Sequence, residues 1–224
     1  MALASGVNKN AIQNQPGYLY LLASPTTVVG TTTLAIIKEL MAKFCADGDI
    51  RGPLANGIVP YATVIKDGYK DKIAAKPIKC EPNAGSDYII GYESIDYSAE
   101  FTIEETDVDH LKDIMSASGA QVTTVTASST QAGRSTLLGG GQRYPSDYML
   151  LYRFPSKQCP GEYRHILVPC CNIDLSGLDR EHNRQKNAAL KISIIAKDFE
   201  LLPDPVTGLP TKWLEDYVVN PKTA

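Results

Sequence analysis

The sequence predicts a strand-dominated α+β protein, an antiparallel β-sandwich or half-barrel flanked by one helix at about residues 106–118. Three observations support this class. Apolar and polar residues alternate strictly over residues 97–104, as in a half-buried antiparallel strand. A helical stripe follows it directly. Several apolar, aromatic-rich runs close the chain. At 224 residues with 43% hydrophobic residues, one full core can form in a single domain.

The N-terminal third is predicted to be an extension of that domain. Residues 1–17 are polar and form an arm, and Tyr18 to Ala23 has the composition of a short strand. A helix is predicted from Leu34 onward, with Thr33 as its N-cap and Gly48 at its end. Because Thr, Val and Ile crowd residues 26–37, two strands remain the alternative.

Proline and glycine interrupt residues 49–87, so loops and short strands are expected there. Strands are then predicted at residues 88–92 and from Tyr97. Tyr97, Ala99, Phe101 and Ile103 would face the core, and the exposed face would carry carboxylates.

Thr106 and Asp107 can cap the flanking helix, whose apolar stripe includes Val108, Leu111 and Ile114. Residues 121–147 are rich in Thr, Ser and Gly and predict a long loop or a protruding hairpin. Three strands are expected at residues 148–154, 163–174 and 188–200. The tail at residues 201–224 is apolar enough to dock on this subunit or the next.

No pattern of catalytic residues is present. The three histidines form no metal-binding pair, and no nucleophile elbow or phosphate loop occurs. We therefore expect no enzyme activity, no catalytic residue, no cofactor and no metal. A net charge of −3 offers no general nucleic-acid surface, and no apolar run is long enough to span a membrane. The first ten residues do not have the pattern of a secretory signal.

Five cysteines predict thiols rather than a disulfide framework. Cys170 and Cys171 are adjacent, so on a strand they would point to opposite faces.

An ordered set of features carries a family resemblance. It comprises the strand IDYSAEFTIE at residues 95–104, the helix at 107–118, the Gly/Ser/Thr-rich insertion, and the strands at 148–154 and 190–199 with a Pro/Gly tail. Over about residues 88–205 the sequence thereby resembles the tail tube proteins (major tail proteins) of tailed bacteriophages. The resemblance implies one tail-tube-like domain over residues 1–224.

The resemblance further implies a structural subunit of the virion tail, assembled in the bacterial host cytoplasm. Six copies would form a ring, and stacked rings would form a hollow tube that conducts DNA without enzymatic activity. The expected partners are other copies of the chain, the tape-measure protein and DNA in the lumen, the tail terminator, baseplate or tip proteins, and a sheath protein in a contractile tail. No membrane partner is expected.

The same resemblance suggests residues for each role. The acidic face of the alternating strand is the candidate for the lumen: Ser98, Glu100, Thr102 and Glu104. The long loop and the tail supply the inter-subunit candidates: Arg134, Leu137, Leu138, Trp213, Leu214 and Tyr217. Five cysteines are more than this role requires, and, apart from the resemblance, those near turns are candidates for inter-subunit disulfides: Cys45, Cys80 and Cys159.

Other functions stay open on the sequence alone. One class comprises other assembly proteins, namely a tail terminator, a capsid decoration protein or a tube subunit like that of type VI secretion. Another is a soluble β-rich binding or enzymatic domain, which would need one pocket with convergent polar groups.

Overall fold

The computed structural model describes residues 17–46, 48, 54, 62–80, 88–104, 112, 114–115, 121–140, 146–155, 163–181 and 189–216. Its elements follow in chain order: β1 Gly17–Ala23, α1 Thr33–Ala42, β2 Ala62–Cys80, β3 Tyr88–Glu104, β4 Gln121–Val125, β5 Arg134–Leu138, β6 Tyr148–Pro155, β7 Tyr163–Glu181, β8 Ala189–Ala196, β9 Phe199–Pro203, β10 Pro210–Thr211 and β11 Leu214–Asp216. The predicted strand-dominated α+β class is confirmed.

The main sheet closes on itself. Its pairings run β7–β6–β1–β2–β3–β8, and β8 pairs in turn with β7. Closure depends on the length of β7, which pairs with β6 over residues 163–171 and with β8 over residues 171–181. All these pairings are antiparallel, so the strands form a barrel rather than an open half-barrel. The edge strand β11 adds to β7 at residues 165–167.

Side-chain alternation divides the core between the two faces of the sheet. Inside the barrel, Tyr97, Ala99, Phe101 and Ile103 are all buried, which confirms the predicted alternation of this strand. On the outer face, a second apolar cluster joins β1, β6 and β7 to α1 and β9. Its members include Tyr20, Met149, Leu151, Leu40 and Phe44.

A bulge in β7 lies just before the adjacent cysteines, which pack in different clusters. Tyr148 of β6 lies opposite Cys171 while Leu150 lies opposite Val168, so β7 contains one extra residue near Pro169. Proline lacks a backbone N–H, and a bulge is a site in a sheet that tolerates it. Cys170 packs in the outer cluster and Cys171 inside the barrel, as expected for opposite faces.

The helix α1 forms where a helix was predicted, rather than the alternative pair of strands, but its ends differ from the prediction. The N-cap is Thr32, whose extended backbone lets its Oγ1 accept a hydrogen bond from the Ala35 N–H at 3.3 Å. The helix ends at Ala42, before Gly48. Leu34 is exposed, because the buried stripe runs through Ile36 and Leu40.

The flanking helix predicted at about residues 106–118 lies largely outside the described residues. Within it, Lys112 and Ile114 are helical and Met115 is in a turn. Ile114 is buried in the barrel interior, which agrees with its predicted place in the apolar stripe. The described helix that flanks the sheet over several turns is α1.

The expectation of loops and short strands over residues 49–87 is wrong in strand length for residues 62–80, which form the single long strand β2. Pro77 is tolerated because it lies at a register irregularity, beyond the three residues that pair with β1, so its missing N–H costs no hydrogen bond there. The predicted N-terminal extension therefore contributes β1, α1 and β2 to the main fold.

A candidate assembly surface on the hairpin of β2 and β3

The hairpin formed by β2 and β3 is longer than the barrel that carries it. β1 pairs with β2 only at residues 62–64, and β8 pairs with β3 only at residues 98–104. β2 and β3 nevertheless pair with each other as far as Cys80 and Tyr88. We call residues 73–80 and 88–97 the distal hairpin. No other described strand pairs with it, and it extends for roughly 25 Å at about 3.3 Å per residue.

The distal hairpin is apolar although it is exposed. Seven large hydrophobic side chains on it are between 43% and 61% exposed: Ile73, Ile78, Tyr88, Ile89, Ile90, Tyr92 and Ile95. Along the barrel-facing row of β3, burial ends abruptly: Tyr97 is 0% exposed, whereas Ile95 is 43% exposed. Exposed apolar surface of this continuity marks an interaction site in soluble proteins.

An aromatic stack fixes the root of the hairpin in the barrel. The ring of Tyr69 lies between those of Phe101 and Tyr152, with centroids 5.8 Å and 4.5 Å away. The Tyr69 and Tyr97 hydroxyls are 3.1 Å apart. Burial raises the pKa of both phenols above the usual value, so both are neutral at physiological pH.

The C-terminal strap, residues 210–216, crosses the point where β3 leaves β8. The Trp213 ring stacks on Tyr97 with a centroid distance of 4.8 Å. Lys212 Nζ lies 2.8 Å from Asp96 Oδ1 and 3.5 Å from Asp198 Oδ1. The Asp96 carboxylate accepts a hydrogen bond from Lys212 and raises the pKa of this lysine. The strap therefore joins the hairpin root to the segment after β8.

A groove of about 520 Å³ lies between the distal hairpin and the segment that contains β9, β10 and the strap. Its apolar lining includes Tyr92, Ile95, Leu209 and Trp213. Its charged lining comprises Glu93, Asp198, Asp204 and Lys212, an excess of carboxylates. Asp204 accepts hydrogen bonds from the Val206 and Thr207 N–H groups, which lower its pKa and keep it ionised.

The predicted acidic face of β3 is not acidic once its neighbours are included. Lys70 lies opposite Glu100 and Lys72 opposite Ser98 on β2. Lys191 lies opposite Thr102 on β8, and its Nζ is 3.0 Å from Glu100 Oε2. The prediction considered one strand, whereas cross-strand lysines outnumber the described carboxylate here. Repulsion of DNA phosphates is thus no longer a reason to place this face in a lumen.

The four lumen candidates differ in exposure. Glu100 is exposed, and Ser98 and Thr102 are half-buried. Glu104 ends β3 opposite Ala189, and its side chain is outside the described part. Because Ser98, Glu100 and Thr102 are spaced two residues apart along β3, they share one face of the sheet.

Two of the inter-subunit candidates in the tail are half-buried and pack within their own subunit, and their predicted contact with another copy stays a prediction. Trp213 contacts the barrel core, and Leu214 joins the outer cluster at the start of β11. They lie here because β11 pairs with β7 and draws the strap onto the barrel. Tyr217 lies outside the described residues.

The segment at residues 121–147 contains the hairpin of β4 and β5. Leu137 is half-buried and packs against the barrel core, so its predicted inter-subunit role has no support from exposure. Arg134 is exposed, and Leu138 is 55% exposed. These two side chains are accessible to another molecule.

The cysteine candidates also separate by burial. Cys45 is 0% exposed in the outer cluster, so an inter-subunit disulfide through it would require the cluster to open, and this part of the prediction is wrong for the described fold. Cys80 is half-buried at the end of β2 and hydrogen-bonds the exposed Tyr88. Cys159 lies outside the described residues.

The distal hairpin and the groove were missed by the sequence predictions. The signal for the hairpin was present in the isoleucines and tyrosines of residues 88–95 and in the lysines of residues 70–79. The groove joins residues more than a hundred positions apart, so no local pattern could indicate it.

No protein-family model and no curated protein matches this chain. Across the described ranges, no helix has the length and apolar character needed to cross a lipid bilayer. In the same part of the chain, His, Cys, Asp and Glu form no group of three that could hold a metal ion.

Proposed function

We propose that this chain is a structural subunit that assembles with copies of itself into a hollow tube, as the tail tube proteins of tailed bacteriophages do. The observation that carries the proposal is the distal hairpin, with strand edges that no other described strand covers and with exposed apolar side chains. Such edges in water lead to uncontrolled aggregation unless a partner covers them. Other copies of the chain are the partner that needs no second component.

The position of the hairpin favours a repeating assembly over a dimer. Its two edges belong to different strands, β2 and β3, and lie on opposite sides of the ribbon. A contact between unlike edges leaves one edge free on each copy, so it closes only as a ring or continues as a filament. A tube of stacked rings satisfies both possibilities.

In the proposed tube, the barrel supplies rigid bulk and the hairpins supply the contacts. The closed strand pairings and the two core clusters hold each barrel in shape. The resemblance suggests six copies per ring and a lumen that conducts DNA without an enzymatic step. Lys72 and Lys70, which lie opposite Ser98 and Glu100, would attract carboxylates of a neighbouring subunit. They would not repel the phosphates of DNA.

Negative-stain electron microscopy of the purified protein, over a range of concentrations, tests the proposal. We expect hollow tubes or stacked rings with a lumen about as wide as one DNA duplex. A single ring or trimer that never extends would favour a tail terminator or decoration protein. A monodisperse monomer at every concentration would contradict the proposal.

A further inference from the structure

We propose that β2 of one copy pairs, antiparallel, with the free edge of β3 in the next copy, within the groove between the distal hairpin and the C-terminal strap. This inference rests on the proposed self-assembly and specifies which surfaces meet. The occupant of the groove is therefore a second copy of this chain, presented through its lysine-bearing strand.

The backbone provides both halves of this contact. β8 stops pairing with β3 at Ser98, so the outer edge of residues 88–97 has no described strand beside it. β1 stops pairing with β2 at Val64, so the outer edge of β2 beyond that residue likewise has no described strand beside it. β2 and β3 are already antiparallel within one hairpin. Adding β2 of a second copy to β3 therefore continues one antiparallel sheet from copy to copy.

The distribution of charge favours this pairing over the two symmetric ones, β2 with β2 and β3 with β3. β2 carries Lys70, Lys72, Lys76 and Lys79 against the single described carboxylate of Asp71. Lys72 and Lys79 form no ion pair with any described residue. Pairing two β2 edges would oppose lysine with lysine, and pairing two β3 edges would oppose Glu93 and Asp96 with themselves. The unlike pairing opposes lysines with carboxylates. Within one copy Glu93 already pairs with Lys76, and Asp96 and Asp198 share Lys212, but the groove still holds more carboxylates than lysines.

The groove also provides an apolar surface that matches β2. Tyr92, Ile95 and Leu209 are 54%, 43% and 64% exposed on its walls. On β2, Ile73 and Ile78 are 54% and 44% exposed. A strand in the groove would bury apolar area on both copies while its backbone pairs with β3. Burial of apolar area would provide the affinity between copies, and the charges would determine which strand edges pair.

Charge reversal tests this pairing. Variant one carries Lys72→Glu and Lys79→Glu, and variant two carries Glu93→Lys and Asp198→Lys. We expect each alone to lower the assembled fraction, measured by sedimentation, by about tenfold or more. A mixture of the two is expected to recover assembly, since alternating copies oppose unlike charges at every contact. The matched control, Lys38→Glu with Lys112→Glu, makes the charge change of variant one away from the hairpin and is expected to assemble normally.

The outcomes separate this inference from the proposed function. Wild-type protein that never assembles contradicts the function itself. If wild-type assembles and variant one assembles equally well, or if the folded variants stay apart when mixed, the proposed pairing is wrong and self-assembly stands. Circular dichroism checks that each variant folds.

A second measurement uses wild-type protein and so does not depend on the folding of a variant. Subunits labelled with ¹⁴N and ¹⁵N are mixed, allowed to assemble and treated with a zero-length carbodiimide cross-linker. We expect links between copies that join Lys72 or Lys79 to Glu93 or Asp198. Links between copies that include no residue of β2 would overturn the inference.

Discussion

At the scale of single residues, Trp213 is one of the contacts that hold the root of the hairpin. Its ring stacks on Tyr97 at the point where β3 leaves the barrel. We expect Trp213→Ala to lower the free energy of unfolding by about 2 kcal/mol, below the range for a fully buried aromatic residue because Trp213 is half-buried. Urea denaturation measures this change. Trp213→Phe is the control and should retain most of the stability. An unchanged midpoint in the alanine variant would show that the stack contributes little.

The buried tyrosines Tyr69 and Tyr97 predict a loss of stability at alkaline pH. Burial is the main cause that raises both pKa values above the ordinary value of 10.0. Because the folded state favours the neutral phenols, their contribution is complete below pH 10 and decreases as pH rises above it. Spectrophotometric titration at 295 nm should therefore show a late-ionising class of tyrosines. It should contain Tyr69 and Tyr97, and also Tyr20 and Tyr152, whose pKa burial raises as well. Tyr69→Phe should reduce this class by one. Early, reversible ionisation of every tyrosine would contradict the assignment.

At the scale of elements, the distal hairpin separates folding from assembly. Ile90 is 61% exposed, so replacing it by threonine, which also favours strands, should leave the melting temperature nearly unchanged. The same change should lower assembly several-fold, since it removes apolar contact area from the proposed interface. Sedimentation and thermal melting measure the two effects. Val29→Thr, at an 87% exposed site outside the hairpin, is the matched control. If the Ile90→Thr and Val29→Thr variants assembled equally well, the proposed role of the hairpin in the interface would be contradicted.

The elements also show what the sequence could and could not predict. The alternation of Tyr97 to Ile103 predicted the inner face of β3, because a strand against a core imposes a period of two. Pro77 suggested a break that did not occur, since a proline at an irregularity on an open edge breaks no ladder. The prediction that one face of β3 is acidic is wrong for a related reason. The charge of this face depends on Lys70 and Lys191, which pairing brings from other strands.

At the scale of the whole molecule, closure of the barrel is a non-local property. It requires β7 to pair with β6 and β8 in turn, whereas the sequence predicted a strand only as far as residue 174 and so did not indicate the extension to Glu181. The groove is likewise formed when Lys212 joins Asp96 to Asp198 across distant segments. Local hydrophobic patterns could thus predict the class, while the candidate site depended on the register between strands.

The distribution of charge over the molecule predicts how salt affects assembly. If lysines of β2 meet carboxylates of β3, screening should weaken recognition between copies, because the Debye length falls from about 10 Å at 0.1 M to about 3 Å at 1 M salt. We therefore expect the initial assembly rate, followed by light scattering, to decrease as sodium chloride rises. The Ile90→Thr variant should keep this dependence at a lower rate, since it changes only apolar area.

The Lys72→Glu and Lys79→Glu double variant should lose the salt dependence or reverse it, because screening would then relieve repulsion between like charges. Assembly of the wild-type protein that accelerates steadily with sodium chloride would indicate a contact driven by apolar burial alone. In that case the open edges of the hairpin would still account for self-association, but unlike charges would no longer explain why β2 of one copy chooses β3 of the next.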